Sequence, residues 1–235
     1  MPTIARDVAL AGRVAPVALR SPGGPRGGSA WSILRRYLAA ALPFTASQPE
    51  ARAWRWRNLL RGHALRGLGR ILVATVFRIP THYGVLTVRL RRASGEIVDL
   101  GTASFRVITT AGVGFLVDAW QNLVEPEIMK YHGCGTGTTA EAVGDTALVT
   151  ESTTILNPDS TRATGTLAEG ASANIFRSVG TVTFDGSGAI TEHGLFSQAA
   201  TGGGVLFDRS VFAAINVASG DSIQFTYDAT LTAGG

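Results

Sequence analysis

His132-Gly133-Cys134 and Glu192-His193 are the places where residue type and spacing could do chemistry in this chain. Residues two apart in a strand face the same way, so His132 and Cys134 could reach one ion. Two ligands fall short of the four that a structural zinc site takes. Cys134 is the single cysteine, which excludes a disulfide framework and a four-cysteine site. The reading is a strand-end histidine beside a buried thiol, with no metal and no cofactor. Neighbours in a strand face opposite sides, so Glu192 and His193 cannot serve one substrate as an acid–base pair. Gly133–Gly137 and Gly202–Gly204 are glycine-rich, but neither leads into a helix opening with Lys-Ser/Thr, so neither is a phosphate loop. No Gly-x-Ser-x-Gly elbow and no His-Glu-x-x-His pair occurs. No catalytic residue is singled out, and the chain is expected not to be an enzyme.

The elements that must position these residues are mainly strands. The 29 glycines, with many Thr and Val, point to short strands and tight turns. From Gly84 apolar and polar residues alternate, Ala93-Ser94-Gly95-Glu96 signals a turn, and Ile97–Leu100 begins a partner strand, which together read as a hairpin over 84–109. Ala111–Asn122 carries Phe115, Leu116, Ala119 and Trp120 at the spacing of one helical face. Ile128–Cys134 and Thr150–Ile155 are strand candidates. The last sixty residues read as a four-strand meander: 173–184, 189–197, 205–213 and 222–231. Its turns are Asp185-Gly186, Gly202-Gly203-Gly204 and Gly220-Asp221, with the three glycines supplying positive φ. Gly133, Gly135, Gly137 and Asp145 are likewise read as turn positions. Ile223, Phe225, Tyr227, Ala229 and Leu231 share one face, which requires a second sheet to cover it. The 84–109 hairpin is the candidate for that sheet. The expected fold is an antiparallel β-sandwich or jelly-roll-like domain with one short helix.

Charge divides the chain. Residues 1–80 carry thirteen arginines against Asp7 and Glu50, a net of +11, whereas residues 81–235 carry a net of −7. The division expected from this contrast is a basic extension over 1–80, weakly helical or disordered, and a β domain over 81–235. Ser21–Gly28 reads as a mobile linker, 31–42 as a short helix and 50–72 as a second, basic helix. Arg52, Arg55, Arg57 and Arg61, with Trp54 and Trp56 between them, form a candidate basic arm for nucleic acid or a membrane surface. Two other readings stand beside it: a structural extension, and a leader produced by a wrongly chosen start. Nucleic acid is not favoured as a partner, because the β domain is acidic. The apolar runs Leu38–Phe44 and Ile71–Phe77 are too short to span a membrane.

Several segments in order carry a family resemblance. The run Gly133-x-Gly135-Thr136-Gly137-Thr138-Thr139-Ala140-Glu141-Ala142-Val143-Gly144-Asp145-Thr146-Ala147-Leu148-Val149-Thr150-Glu151 resembles the GTGTTA…GDTAL…E segment of tailed-phage virion proteins. Ala189–Ser197, with Glu192, Gly194, Leu195 and Phe196, resembles their ITE-x-GLF strand, and Ala200–Arg209 and Ser219–Ser222 follow as in those proteins. The resemblance covers roughly residues 85–235. It implies a non-enzymatic part of the phage particle, a capsid decoration or a tail- or fibre-associated protein, located in the virion. The partners it implies are copies of the chain itself, a trimer first, and other virion proteins. A module that reads host surface glycans is the alternative, with Trp120 and Tyr131 as its candidate aromatic contacts.

Overall fold

The computed structural model describes residues 30–63, 65, 68–77, 82–106 and 108–232. Three helices come first: α1 (Ala30–Ala41), α2 (Pro49–Leu60) and α3 (Leu68–Val76). Pro49 opens α2 at the one helical position where its missing N–H is harmless. The strands β1 (His82–Arg91) and β2 (Ile97–Arg106) form a hairpin. Helix α4 (Thr110–Trp120) follows, capped by the Thr109 hydroxyl, which accepts from the Gly112 N–H at 2.9 Å. Then come β3 (Tyr131–Gly135), β4 (Ala163–Thr164), β5 (Thr166–Glu169), β6 (Ile175–Thr183), β7 (Gly188–Phe196), β8 (Leu206–Val217) and β9 (Ser222–Leu231).

The protein is mainly β, as its residue pattern predicts. Two antiparallel sheets face each other, one ordered β2-β1-β9-β6-β5 and the other β4-β3-β7-β8. Leu86, Val88 and Leu90 of β1, Ile223, Phe225 and Tyr227 of β9, and Phe212 and Ile215 of β8 fill the space between them. Ile223, Phe225, Tyr227 and Ala229 share the buried face as expected, while Leu231 at the strand end is half-buried.

The last four strands do not form a meander. β6 and β9 belong to one sheet and β7 and β8 to the other, so the chain crosses the sandwich after β6 and again after β8. The 84–109 hairpin does not supply the opposing sheet either. β1 pairs with β9 in unbroken register from His82↔Leu231 to Arg91↔Ser222. Thr150–Ile155 is not a strand; its ladder is reduced to one bridge, Glu151 to Gly135. The basic helix expected over 50–72 is two helices. In α4, Phe115, Leu116 and Ala119 turn inward while Trp120 stands 72% exposed. The Ser21–Gly28 linker lies outside the described residues.

The packed core does not divide at residue 81. Ala46, Ala51 and Trp54 belong to the same buried cluster as the sandwich interior. On the outer face of the larger sheet, Tyr83, Val85, Phe105 and Ile175 pack against Leu34 and Tyr37 of α1 and Ile71 of α3. Helix α2 closes the sandwich between its edge strands β2 and β8. The Asn58 side-chain amide donates to Ala103 O at 2.8 Å and accepts from Ala213 N at 2.9 Å. Trp54 Nε1 donates to Ala213 O at 2.8 Å, and Arg55 Nε to Leu100 O at 3.0 Å. Unpaired edge strands invite pairing with other chains. Here helix side chains take the backbone groups that another strand would have taken.

Candidate functional site

The densest set of ionised side chains lies on the outer face of the smaller sheet, where the long connection from β3 to β4 folds back over it. Period-two alternation and one irregularity in the β7–β8 register turn Glu192 outward and His193 inward. Glu192 is fully buried beneath the loop. Its Oε1 accepts from Gly137 N at 3.0 Å and Thr150 N at 2.8 Å, and its Oε2 from Val149 N at 3.1 Å. Arg209 of β8 completes the set, with Nε 2.8 Å from Oε2. The same guanidinium reaches Asp145 at 3.1 Å and Thr139 O at 3.1 Å. A buried carboxylate is tolerable only with its charge paired and its lone pairs used, and here both conditions hold.

A second pair extends this clamp. Arg162 Nε lies 2.6 Å from Glu151 Oε1 and its NH2 3.0 Å from Oε2, a bidentate geometry. Arg162 also donates to Gln198 O and Gly203 O, and its guanidinium carbon sits 3.5 Å from the centroid of the Phe196 ring. Glu151 Oε2 further accepts from Gly202 N at 3.1 Å. Arg106 and Glu141 form a third buried ion pair at 2.5 Å.

The sequence predicts Gly133, Gly135 and Gly137 as turn residues. The first two lie within β3, and close approach explains all three. A Cβ on Gly135 would stand 2.1 Å from Thr150 O, and one on Gly137 2.5 Å from Glu192 Oε1. Gly194 is likewise inside β7, in contact with Phe196 and Leu206, and Leu195 points into the inter-sheet core. Gly202, Gly204 and Gly220 do have positive φ, whereas Gly203 does not. Asp185 and Gly186 connect β6 to β7. Asp221 anchors its turn and the β1–β2 turn together, accepting from Ala93 N, Ala218 N and Arg92.

Of the candidate basic arm, Arg52, Arg57 and Arg61 are exposed, but Arg55 is buried and bonded to β2. The arm is therefore not one free cationic face. Trp54 is buried, and Trp56 is exposed.

His132 and His193 meet inside the sandwich, ring nitrogen to ring nitrogen at 2.9 Å, and His132 is also 2.8 Å from the Ser178 hydroxyl. Phe225 packs on both rings. Burial pulls His132 down to about 3, and burial with the neighbouring ring holds His193 well below the ordinary range. Burial first, and then Glu151 and Glu192, push the Cys134 thiol up, so it stays protonated. Among the described residues no three His, Cys, Asp or Glu side chains are grouped to hold a metal. Asp208 is buried on the same side as this pair, accepting from Ser210 at 3.1 Å, with Ser104 behind it at 2.7 Å. Its carboxyl is raised to about 7, chiefly by burial, against the opposing pull of Arg106.

In the sequence Arg209 closes the Ala200–Arg209 segment and Arg162 lies between segments, with nothing to single out either. The Glu192–Arg209 pair is a hairpin relationship across 17 residues, and the β7–β8 hairpin is the one signal that could have found it. Comparison of the chain with protein-family models, with curated proteins and with solved structures finds no match.

Proposed function

We propose that this chain is a non-enzymatic structural protein of a tailed-phage particle, working through contacts with copies of itself and with neighbouring particle proteins. The observation that carries this reading is the clamp. The two segments that resemble virion proteins, 133–151 and 189–197, are its two halves, joined at Glu192. In this chain both segments serve one physical device that fixes a long surface loop to a sheet. The clamp's carboxylates and guanidiniums are turned to one another and to backbone, which suits a scaffold better than a reaction centre. Helix α4 offers a surface for a neighbour, because Val113, Val117 and Trp120 stand exposed along one side of it.

The test is multi-angle light scattering of the full chain at micromolar concentration, with cross-linking to particle proteins. A discrete oligomer, a trimer first, whose formation Trp120→Glu impairs, is the expected result. A strict monomer that captures no particle component would sink the proposal.

A further inference from the structure

The outer face of the larger sheet is apolar at one end and polar at the other. Helix α1 covers the apolar end and stops over the polar one, leaving a cleft of about 350 Å³. That volume falls within the range of small-molecule sites. Its floor follows from strand register. Thr87 and Arg89 of β1 project from the same face as Thr226 and Gln224, their partners on β9. Arg177 of β6 and Asp228 of β9 are also cross-strand partners and close one end. Tyr37 and Arg36 of α1 form the wall.

Charge in the cleft is unbalanced. Arg177 holds Asp228 in a bidentate pair, with both nitrogens at 2.7 Å, and the Tyr37 hydroxyl donates to the same carboxylate. That group is locked and electrically neutral. Arg36 and Arg89 are different: neither side chain has an ion pair or hydrogen bond among the described residues. Two unpaired guanidiniums thus flank half-buried Thr87, Thr226 and Gln224, whose hydroxyl and amide groups can both donate and accept. Guanidinium forks recognise planar or tetrahedral oxyanions, and the hydroxyl-and-amide floor recognises hydroxyl groups.

We propose that this cleft binds a single acidic sugar unit, with the anion between Arg36 and Arg89 and the sugar hydroxyls on Thr87, Thr226 and Gln224. The acid can be a carboxylate, as in a uronate, or a phosphate ester on the sugar. The inference does not rest on the particle role, since the cleft lies on the opposite sheet from the clamp.

Titration calorimetry of the full chain with glucuronate, glucose 6-phosphate, glucose and inorganic phosphate tests it. Saturable binding of one or both sugar acids is expected, with glucose at least about tenfold weaker, the worth of a charge-assisted hydrogen bond. Arg36→Ala and Arg89→Ala should each weaken binding about tenfold, and Thr226→Val by less. Arg52→Ala, on an exposed part of α2, should leave binding unchanged. Glucuronate binding without glucose 6-phosphate would identify the carboxylate source, the reverse the phosphate source, and either supports the site. Three results would overturn it: no saturation by either acid at ~20 mM, glucose or inorganic phosphate binding as tightly as the sugar acids, or unchanged affinity in a folded Arg36→Ala/Arg89→Ala double variant.

Discussion

Arg209 and Glu192 face each other across the β7–β8 hairpin, Nε 2.8 Å from Oε2, both side chains shut off from solvent. Among the described residues Glu192 has Arg209 as its one cationic partner, while Arg209 also reaches Asp145 at 3.1 Å. Three backbone N–H groups of the overlying loop complete the carboxylate's coordination, so a single pair of side chains secures a loop of about fifteen residues.

Glu192→Gln keeps the size of the side chain but sets an amide donor against the Val149 N–H and Arg209, and leaves Arg209 with Asp145 as its remaining carboxylate. A loss of about 3–5 kcal/mol in urea unfolding is expected, with new protease cleavage within 136–150. Adding Arg209→Met should recover only part of the loss, because the Val149 N–H still lacks its acceptor and Asp145 loses its guanidinium. Full recovery would mean that the ion pair, and not the loop, depends on Glu192.

His132 and Asp208 give stability opposite slopes with pH. His132 stays neutral down to about 3 in the folded chain, whereas an unfolded histidine takes a proton near 6.5. The unfolded state then binds more protons across that window, so stability falls as pH drops from 6.5 toward 3. Asp208 keeps its proton up to about 7 when folded and loses it near 3.8 when unfolded, so its contribution declines as pH rises from 3.8 to 7. Asp208→Asn should therefore raise stability at pH 8 and change it little at pH 4, and His132→Gln should flatten the acid limb. Thermal melts of both variants across pH 3–9 check the two signs.

Asn58→Leu removes the amide that joins the two edge strands, leaving Ala103 O and Ala213 N without partners. Each unsatisfied buried group costs about 1–3 kcal/mol. The specific readout is hydrogen exchange: the Ala213 amide should lose protection while amides of β9 lose only what the global destabilisation predicts.

Deleting residues 1–80 uncovers Tyr83, Val85, Phe105 and Ile175 on the outer sheet face. The fragment 81–235 is expected to bind a hydrophobic dye strongly and to associate without a defined size, whereas the full chain does neither. A well-behaved fragment with native melting would show that α1–α3 are dispensable.

Much of the sheet content was legible because it is written in local patterns. Alternation marked β1 and β9, and turns built on Gly and Asp marked where strands end. Which strands pair was not legible, since the β1–β9 ladder joins residues nearly the whole domain apart and the register of one strand says nothing of its distant partner. The role of α2 was hidden for another reason. Counting charge assigned Arg55 to a basic arm, but a guanidinium with several donors serves equally well to satisfy an edge strand, and only the packed structure distinguishes these uses. The glycine-rich stretch 133–151 and the strand at 189–197 stand out in the sequence as separate segments. Their physical link through Glu192 does not, because a carboxylate that binds backbone N–H groups leaves no mark on the residues it binds, beyond the glycines that make room for it.

The strand order has a consequence in time. β9 lies between β1 and β6, so until Ser222–Leu231 has been synthesised the larger sheet exists only as two unconnected hairpins, β2-β1 and β6-β5. Synthesis runs from the N-terminus, and pairings this distant in sequence are slow to form. Until β9 emerges, the nascent chain lacks the strand that joins the two hairpins, and the apolar faces of β1, β7 and β8 are only partly covered. A ribosome stalled before β9 would hold a chain open to aggregation and to chaperones, and emergence of β9 would be the event that closes the larger sheet.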